Sequence, residues 1–448
     1  MLTDKNDVKK ARLVAKGFQE SHQVAETASP TSKKSSQRVM FSIMASKGWE
    51  VNMLDVSHAF LQGDPMDRIV FVRPPPESNC NDQLVWKLNI CVYGLPDASK
   101  LWYEKVSKEL GKLGVTSSIY DPAFFWSHHD GELQGMICVH VDDFIWGGSE
   151  WFIRTVIEPL HEEFDIKSML NGSFEYLGLN IEQRPDKAIS VDQLQYLQNF
   201  VLIPLQKTDH KLNEASTANF TQFRSLCGKL TWISNLTRPD LSFHASYLSS
   251  CLRDTANQDI QRLNKVIKNK ILDGKRTIKL NYTSLGASKD WSIKCYADAS
   301  HKNLPNGGSQ VGCIIMMVNR KTGANNIIHW FSHRISRVVT SPLAAETLAM
   351  DEALDEAFGL NKLLSLVLGR NKDRPIEAVT DCRSLFDHLQ TRKPVNNSRL
   401  IVEISKMRES LDRKELQMSW VKTAQQLADP LTKRDVNITP LLKSINKQ

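Results

Sequence analysis

No run of apolar residues in this chain is long enough to cross a bilayer. The opening Met1-Leu2-Thr3-Asp4-Lys5 has none of the apolar core that a secretory leader carries. The eight cysteines, at 80, 91, 138, 227, 251, 295, 313 and 382, include no Cys-x-x-Cys pair. That spacing speaks against a zinc site or a disulfide framework and points to free thiols in a reducing compartment. No fixed-period repeat is present, which sets solenoids and propellers aside. Neither sign of charge dominates: 57 basic against 50 acidic residues leave a formal +7, which permits a polyanionic partner without demanding one. What is present is an ordinary globular balance, 41% hydrophobic and 24% charged over 448 residues, enough for two or three domains with cores of their own.

Within that balance, one local pattern stands out. Met136 to Gly148 reads as strand, acidic tip, strand, with Asp142-Asp143 at the tip and Gly147-Gly148 as a stop. Two adjacent carboxylates among Ile, Val, Phe and Trp repel one another and resist desolvation, and a divalent cation is the simplest remedy. Hard oxygen donors suit Mg²⁺ or Mn²⁺. Val51 to Val56 is a second short strand carrying Asp55, so a strand end and a hairpin tip can bring three carboxylates together. A pair of cations clamping the attacking and leaving oxygens serves in-line phosphoryl transfer. A solvated Asp-Asp turn is the competing reading of the tip taken alone.

Three blocks follow from pattern and punctuation. The first, to about residue 184, mixes short strands and helices; the second, to about residue 288, is mainly helical and ends in a basic run of Lys265, Lys268, Lys270, Lys275, Arg276 and Lys279. The third, 289–434, opens with three strands and continues helix, strand, helix, strand, helical turn, leaving 435–448 as a tail. Ser341-Pro342 has the form of an N-cap and first helical residue, and Gly369 that of a stop. Asp298, Glu346, Asp381 and Asp429 fall at the ends of these elements, where one rim of a sheet could gather them around cations.

At this point the chain resembles the reverse transcriptase and ribonuclease H region of copia-type LTR retrotransposon Pol polyproteins. The resemblance runs from about Lys9 to Lys433. It is carried by Lys10-Ala11-Arg12-Leu13-Val14-Ala15-Lys16-Gly17-Phe18, by Asp55 through Gly63, by Val92-Tyr93-Gly94-Leu95 through Trp102-Tyr103, and by Val141-Asp142-Asp143. Further on come Arg224 through Gly228, Thr237-Arg238-Pro239-Asp240, Tyr296-Ala297-Asp298, Ala345-Glu346, Thr380-Asp381 and Ala428 through Lys433. The fold class it implies is α+β and α/β multidomain, a right-hand reverse transcriptase with fingers and palm (1–184) and thumb or connection (185–288), then a ribonuclease H-like domain (289–434). Asp55, Asp142 and Asp143 would hold the polymerase metals, and Asp298, Glu346, Asp381 and Asp429 the nuclease metals, two Mg²⁺ per site with Mn²⁺ as the substitute. Lys10, Arg12 and Lys16 would contact the triphosphate. Phe60, five residues after Asp55, would pack under the sugar and exclude a 2′-hydroxyl. Trp232 and Trp291 read as core or hinge residues.

The implied partners are an RNA template, a DNA primer, RNA–DNA hybrid and deoxynucleoside triphosphates, with no membrane. The implied setting is intracellular, in cytoplasmic virus-like particles, with nuclear entry open. The chain departs from the family at His140, where Tyr is usual, and at Pro96 and Asp97, where Lys and Gln are usual. A carboxylate at 97 beside a triphosphate is unfavourable unless turned away or metal-bound. No protease, integrase or nucleocapsid motif is found, so the expectation is the C-terminal part of a polyprotein or a truncated copy, short of part of the fingers. A decayed relic that binds nucleic acid, or one that keeps ribonuclease H alone, is the alternative to a working enzyme.

Overall fold

The computed structural model describes residues 2–5, 8–11, 13–20, 26–81, 83–205, 215–273, 278–304, 307–391 and 398–445. Two units divide the chain: residues 1–33 with 51–171, and residues 34–50 with 172–448.

The first unit is built on six strands: β1 (Asn52–Val56), β2 (Thr116–Ser118), β3 (Asp121–His129), β4 (Glu132–His140), β5 (Asp143–Gly148) and β6 (Ile166–Asn171). Their order across the sheet is β6-β1-β5-β4-β3-β2, every pairing antiparallel. The expected hairpin is β4–β5. Met136, Ile137, Cys138, Val139, Phe144, Ile145 and Trp146 are all at most 3% exposed, each large side chain contributing about 1.5–3 kcal/mol by burial. Helix Lys34–Lys47 (α1) belongs to the other unit. Within this unit, the sheet packs against α2 (Ala98–Lys112) and the helical stretch after Ser149. Trp102, Val106 and Leu110 of the former and Phe152, Val156 and Leu160 of the latter share one core. The strand ends at Gly148, as expected of the glycine pair. Gly148 and its register partner Gly135 also seat an aromatic: a Cβ on either would strike the Phe152 ring, at 2.5 or 2.2 Å.

In the second unit the expected boundary at residue 184 falls inside a sheet. Strands β7 (Ser173–Tyr176), β8 (Leu179–Gln183), β9 (Ile189–Asp192) and β10 (Leu280–Tyr282) pair antiparallel in that order, and the β8–β9 hairpin spans it. Helices α3 (Thr217–Leu236), α4 (Ser242–Ser250) and α5 (Asn257–Val266) lie between β9 and β10 in the chain. Their apolar faces meet around Phe223, Leu226, Leu230, Phe243, Leu248 and Leu263. The Thr237-Arg238-Pro239-Asp240 segment is structural: Arg238 donates twice to the Asp240 carboxylate, each at 2.9 Å, and once to the Lys270 carbonyl. Arg38 of α1 is likewise buried, donating to the carbonyls of Asn235 and Leu236 and stacking 3.7 Å over Trp330. A cation is well placed at the negative end of α3, and burial still lowers its pKa to about 10.

The C-terminal part carries β11 (Trp291–Ser300), β12 (Gln310–Asn319), β13 (Asn325–Arg334), α6 (Pro342–Val367), β14 (Ile376–Thr380), α7 (Arg383–Gln390), α8 (Ile401–Asp412), β15 (Leu416–Trp420) and α9 (Thr439–Ile445). The sheet order is β13-β12-β11-β14-β15, with the first three antiparallel and β14 and β15 parallel to β11. Ser341 caps α6 through its hydroxyl, as expected, and Gly369, at φ 62°, follows its C-terminus. The expected tail holds α9, whose Leu441 and Ile445 are buried.

Candidate active sites

The first site is set by β1 against β5. Asp55 and Asp143 are register partners, and His140 pairs with Asp143 across the hairpin. The Val56 N–H donates to the Asp142 carbonyl at 3.0 Å, tying the tip to β1. Val141 holds the turn at φ 58°, an unusual conformation for a β-branched residue. Its carbonyl accepts a 2.7 Å bond from Trp102 Nε1. Asp143 is pushed up to about 6, first by burial and then by the charges of Asp142 and Asp55. Burial lowers His140, with Asp142 acting the other way. Asp55 is engaged by the Lys167 ammonium. The three carboxylates are neighbours, but their oxygens do not close as tightly as those of the second site.

Elsewhere in this unit, Gly94 and Gly17 allow two backbones to cross. The Ala15 N–H donates to Tyr93 O at 2.7 Å and the Gly17 N–H to Gly94 O at 3.2 Å. A Cβ on Gly94 would lie 2.1 Å from Ala15 O. Lys16 stands at this crossing with an exposed side chain. Phe60 packs on Tyr93, ring centroids 4.9 Å apart. Arg12, and the side chain of Lys10, lie outside the described residues. Asp97 corrects the expectation of a substrate contact: it is 6% exposed and both oxygens accept from Arg68, at 2.7 and 2.8 Å. The Arg68 hydrogen bonds hold Asp97 below the usual carboxylate range.

The second site lies at the C-terminal ends of β11 and β14 and the first turns of α6. Asp298, Glu346 and Asp381 each place a carboxylate oxygen within 4.8 Å of the others. Asp298 is 1% exposed; burial pushes it up to about 7, with Lys433 and the Thr432 hydroxyl opposing. Glu346 is raised well above its ordinary value by burial and by the charges of Asp298 and Asp381. Asp429, the fourth expected acid, is not among these three. Its carboxylate is held by Lys433, whose Nζ also lies 3.5 Å from Asp298 Oδ2. Thr432 donates its hydroxyl to that same oxygen. The 428–432 segment can approach because Gly312 faces Asp298 in register. A Cβ there would meet Leu431 Cβ at 2.7 Å and Thr432 Cγ2 at 2.8 Å. Three mutually repelling oxygen donors, Asp298 buried and Glu346 and Asp381 half-buried, suit a hard divalent cation.

Sequence reasoning missed Lys167, Trp102, Thr432 and the role of Lys433. The last had a signal, since it stands four residues after Asp429 on one short turn; Lys167 had none. Trp291 is buried as expected, but Trp232 is 42% exposed, with Lys34 Nζ 5.6 Å from its ring centroid. Of the basic run, Lys265 and Lys268 are exposed and Lys279 is engaged by Glu182 and Asp192. Lys275 and Arg276 lie outside the described residues.

Fold and sites together define the class: a reverse transcriptase fold followed by a ribonuclease H-like domain. Residues 2–215 match the family model for reverse transcriptase (RNA-dependent DNA polymerase). The chain is 26% identical over 446 residues to the retrovirus-related Pol polyprotein from transposon RE1 of Arabidopsis thaliana, covering 95% of this chain. It is 25% identical over 454 residues to that from transposon TNT 1-94 of Nicotiana tabacum. It spans 29% and 33% of the lengths of those two relatives. A foamy viral protease-reverse transcriptase solved with double-stranded DNA shares the fold, with a TM-score of 0.56 and 14% identity, over 94% of this chain and 64% of that one. The chain is thus a homologue, along nearly its whole length, of the Pol polyproteins of copia-type transposons.

Proposed function

We propose that this chain is an RNA-directed DNA polymerase with ribonuclease H activity, the first site extending a DNA primer on an RNA template and the second cutting the RNA of the resulting hybrid. The observation that carries the reading is the gathering of Asp298, Glu346 and Asp381 at strand and helix ends of one sheet, in a chain whose other unit pairs Asp55 with Asp143. Asp55, Asp142 and Asp143 would hold one pair of Mg²⁺ ions (Mn²⁺ substituting) and the Asp298 group the other. When bound, such ions stabilise the charge on attacking and leaving oxygens.

The chain's own residues supply the rest. The primer end would sit at the acids that the β1–β5 register pairs, and exposed Lys16 would neutralise triphosphate charge. Phe60, braced by Tyr93, fills the space a 2′-hydroxyl would need, which favours deoxynucleoside triphosphates. At the second site the 2′-hydroxyl is the feature that marks the RNA strand. Exposed Lys265 and Lys268 would contact backbone phosphates, a term that weakens with salt. Cytoplasmic particles, with access to the nucleus, are the setting this chemistry fits.

The test is primer extension on an RNA template with hybrid cleavage measured alongside. Both activities support the reading. Cleavage without extension leaves a nuclease alone, and binding without either leaves a relic.

A further inference from the structure

Lys433 follows directly on the turn that carries Asp429. Its ammonium contacts Asp429 Oδ1 and lies 3.5 Å from Asp298 Oδ2. Asp298 is therefore shared between two arrangements. One is the three-carboxylate group with Glu346 and Asp381; the other is a lysine bridge to Asp429. The bridge sits where a second ion would have to bind, because it uses the carboxylates that would hold it. The backbone beneath it has little room to shift, since Gly312 already lets Leu431 and Thr432 come as close as a glycine allows. The lysine side chain, 37% exposed, can instead swing its head into water.

We propose that Lys433 fills the second cation position of this site. One divalent ion is held by Asp298, Glu346 and Asp381, and a second enters only by displacing the Lys433 ammonium from Asp298 and Asp429. The proposal rests on the reading of this site as a cation-dependent nuclease. An ammonium neutralises one charge with a few directed donors, whereas a divalent ion carries twice the charge and takes several oxygens. The two occupants exclude each other because they need the same oxygens. The site therefore binds its ions unequally, the weaker one against the lysine.

The experiment is a Mn²⁺ titration of the full chain, with free Mn²⁺ counted by electron paramagnetic resonance, for the unsubstituted protein, Lys433→Met, Lys433→Arg and Asp298→Asn. Lys433→Met should tighten the weakest ion by about tenfold or more, and lower the cation-free melting temperature, which saturating Mn²⁺ restores. Lys433→Arg, still charged, should show no tightening. Should Lys433→Met not fold, Lys433→Gln keeps the stem and a polar head and should tighten the ion in the same way. A neutral variant that binds every ion as before, or more weakly, overturns the role of Lys433. Asp298→Asn binding as many ions as the unsubstituted chain would instead sink the nuclease reading, so the two failures are told apart.

Discussion

The two acidic sites are neutralised in the same way but built differently. In the first unit the acids stand half-buried on and beside a two-residue turn. Asp55 is held by Lys167, an exposed lysine 112 residues away. In the second unit Asp298 is 1% exposed, Glu346 comes from a helix and Asp381 from a strand end, and the lysine belongs to the same short turn as Asp429. Burial sets the difference. Asp143 is pushed up to about 6 and Asp298 to about 7, desolvation leading in both. The more enclosed site needs its counter-charge more and has it built into the adjoining segment. The more open tip takes its counter-charge from an exposed lysine distant in sequence.

The largest effect expected separates the sites outright. Asp298→Asn should cut hybrid cleavage on the order of a thousandfold or more and leave primer extension within about twofold, with Asp143→Asn doing the reverse. Loss of both activities in either variant would mean that the sites are not independent. Gly312→Val probes the closeness that only the second site has. Its Cβ would collide with Leu431 and Thr432, and cleavage should fall roughly a hundredfold with extension unaffected. Unchanged cleavage would show that the 428–432 segment need not lie so near.

On the other side of the comparison, Phe60→Ala should raise ribonucleotide incorporation by about tenfold, read from extension products, because the space beside Tyr93 then admits a hydroxyl. Unaltered sugar selectivity would return Phe60 to a packing role.

The smallest effect expected is the pH dependence of the cation-free chain. Asp298 holds its proton more tightly folded than unfolded, so the stability it contributes is complete below its ordinary 3.8 and lost as the pH rises through about 7. For Asp143 the loss comes through about 6. Melting temperature without divalent ions should therefore rise on acidification from about pH 8 to about pH 6, and Asp298→Asn should flatten that rise. An equal slope in the variant would mean that Asp298 titrates as in water.

Much of each site was legible along the chain because its signals are local. Runs of β-favouring apolar residues on either side of Asp142-Asp143 mark a hairpin, and Ser341-Pro342 marks a helix start. The strands and helices that carry Asp298, Glu346 and Asp381 follow from the same short-range rules. What was not legible depends on pairs far apart in sequence. Asp97 looks like a substrate contact until Arg68, 29 residues earlier, is seen to occupy both its oxygens.

The sequence by itself determined the period of each element, the acids at their ends and the family they resemble, because those properties reside in neighbouring residues. Only the tertiary structure decided that α1 joins the second unit, that Asp298, Glu346 and Asp381 close around one point, and that a lysine stands between Asp298 and Asp429. Those outcomes depend on burial and on charges meeting across space, and no local rule of the chain contains either.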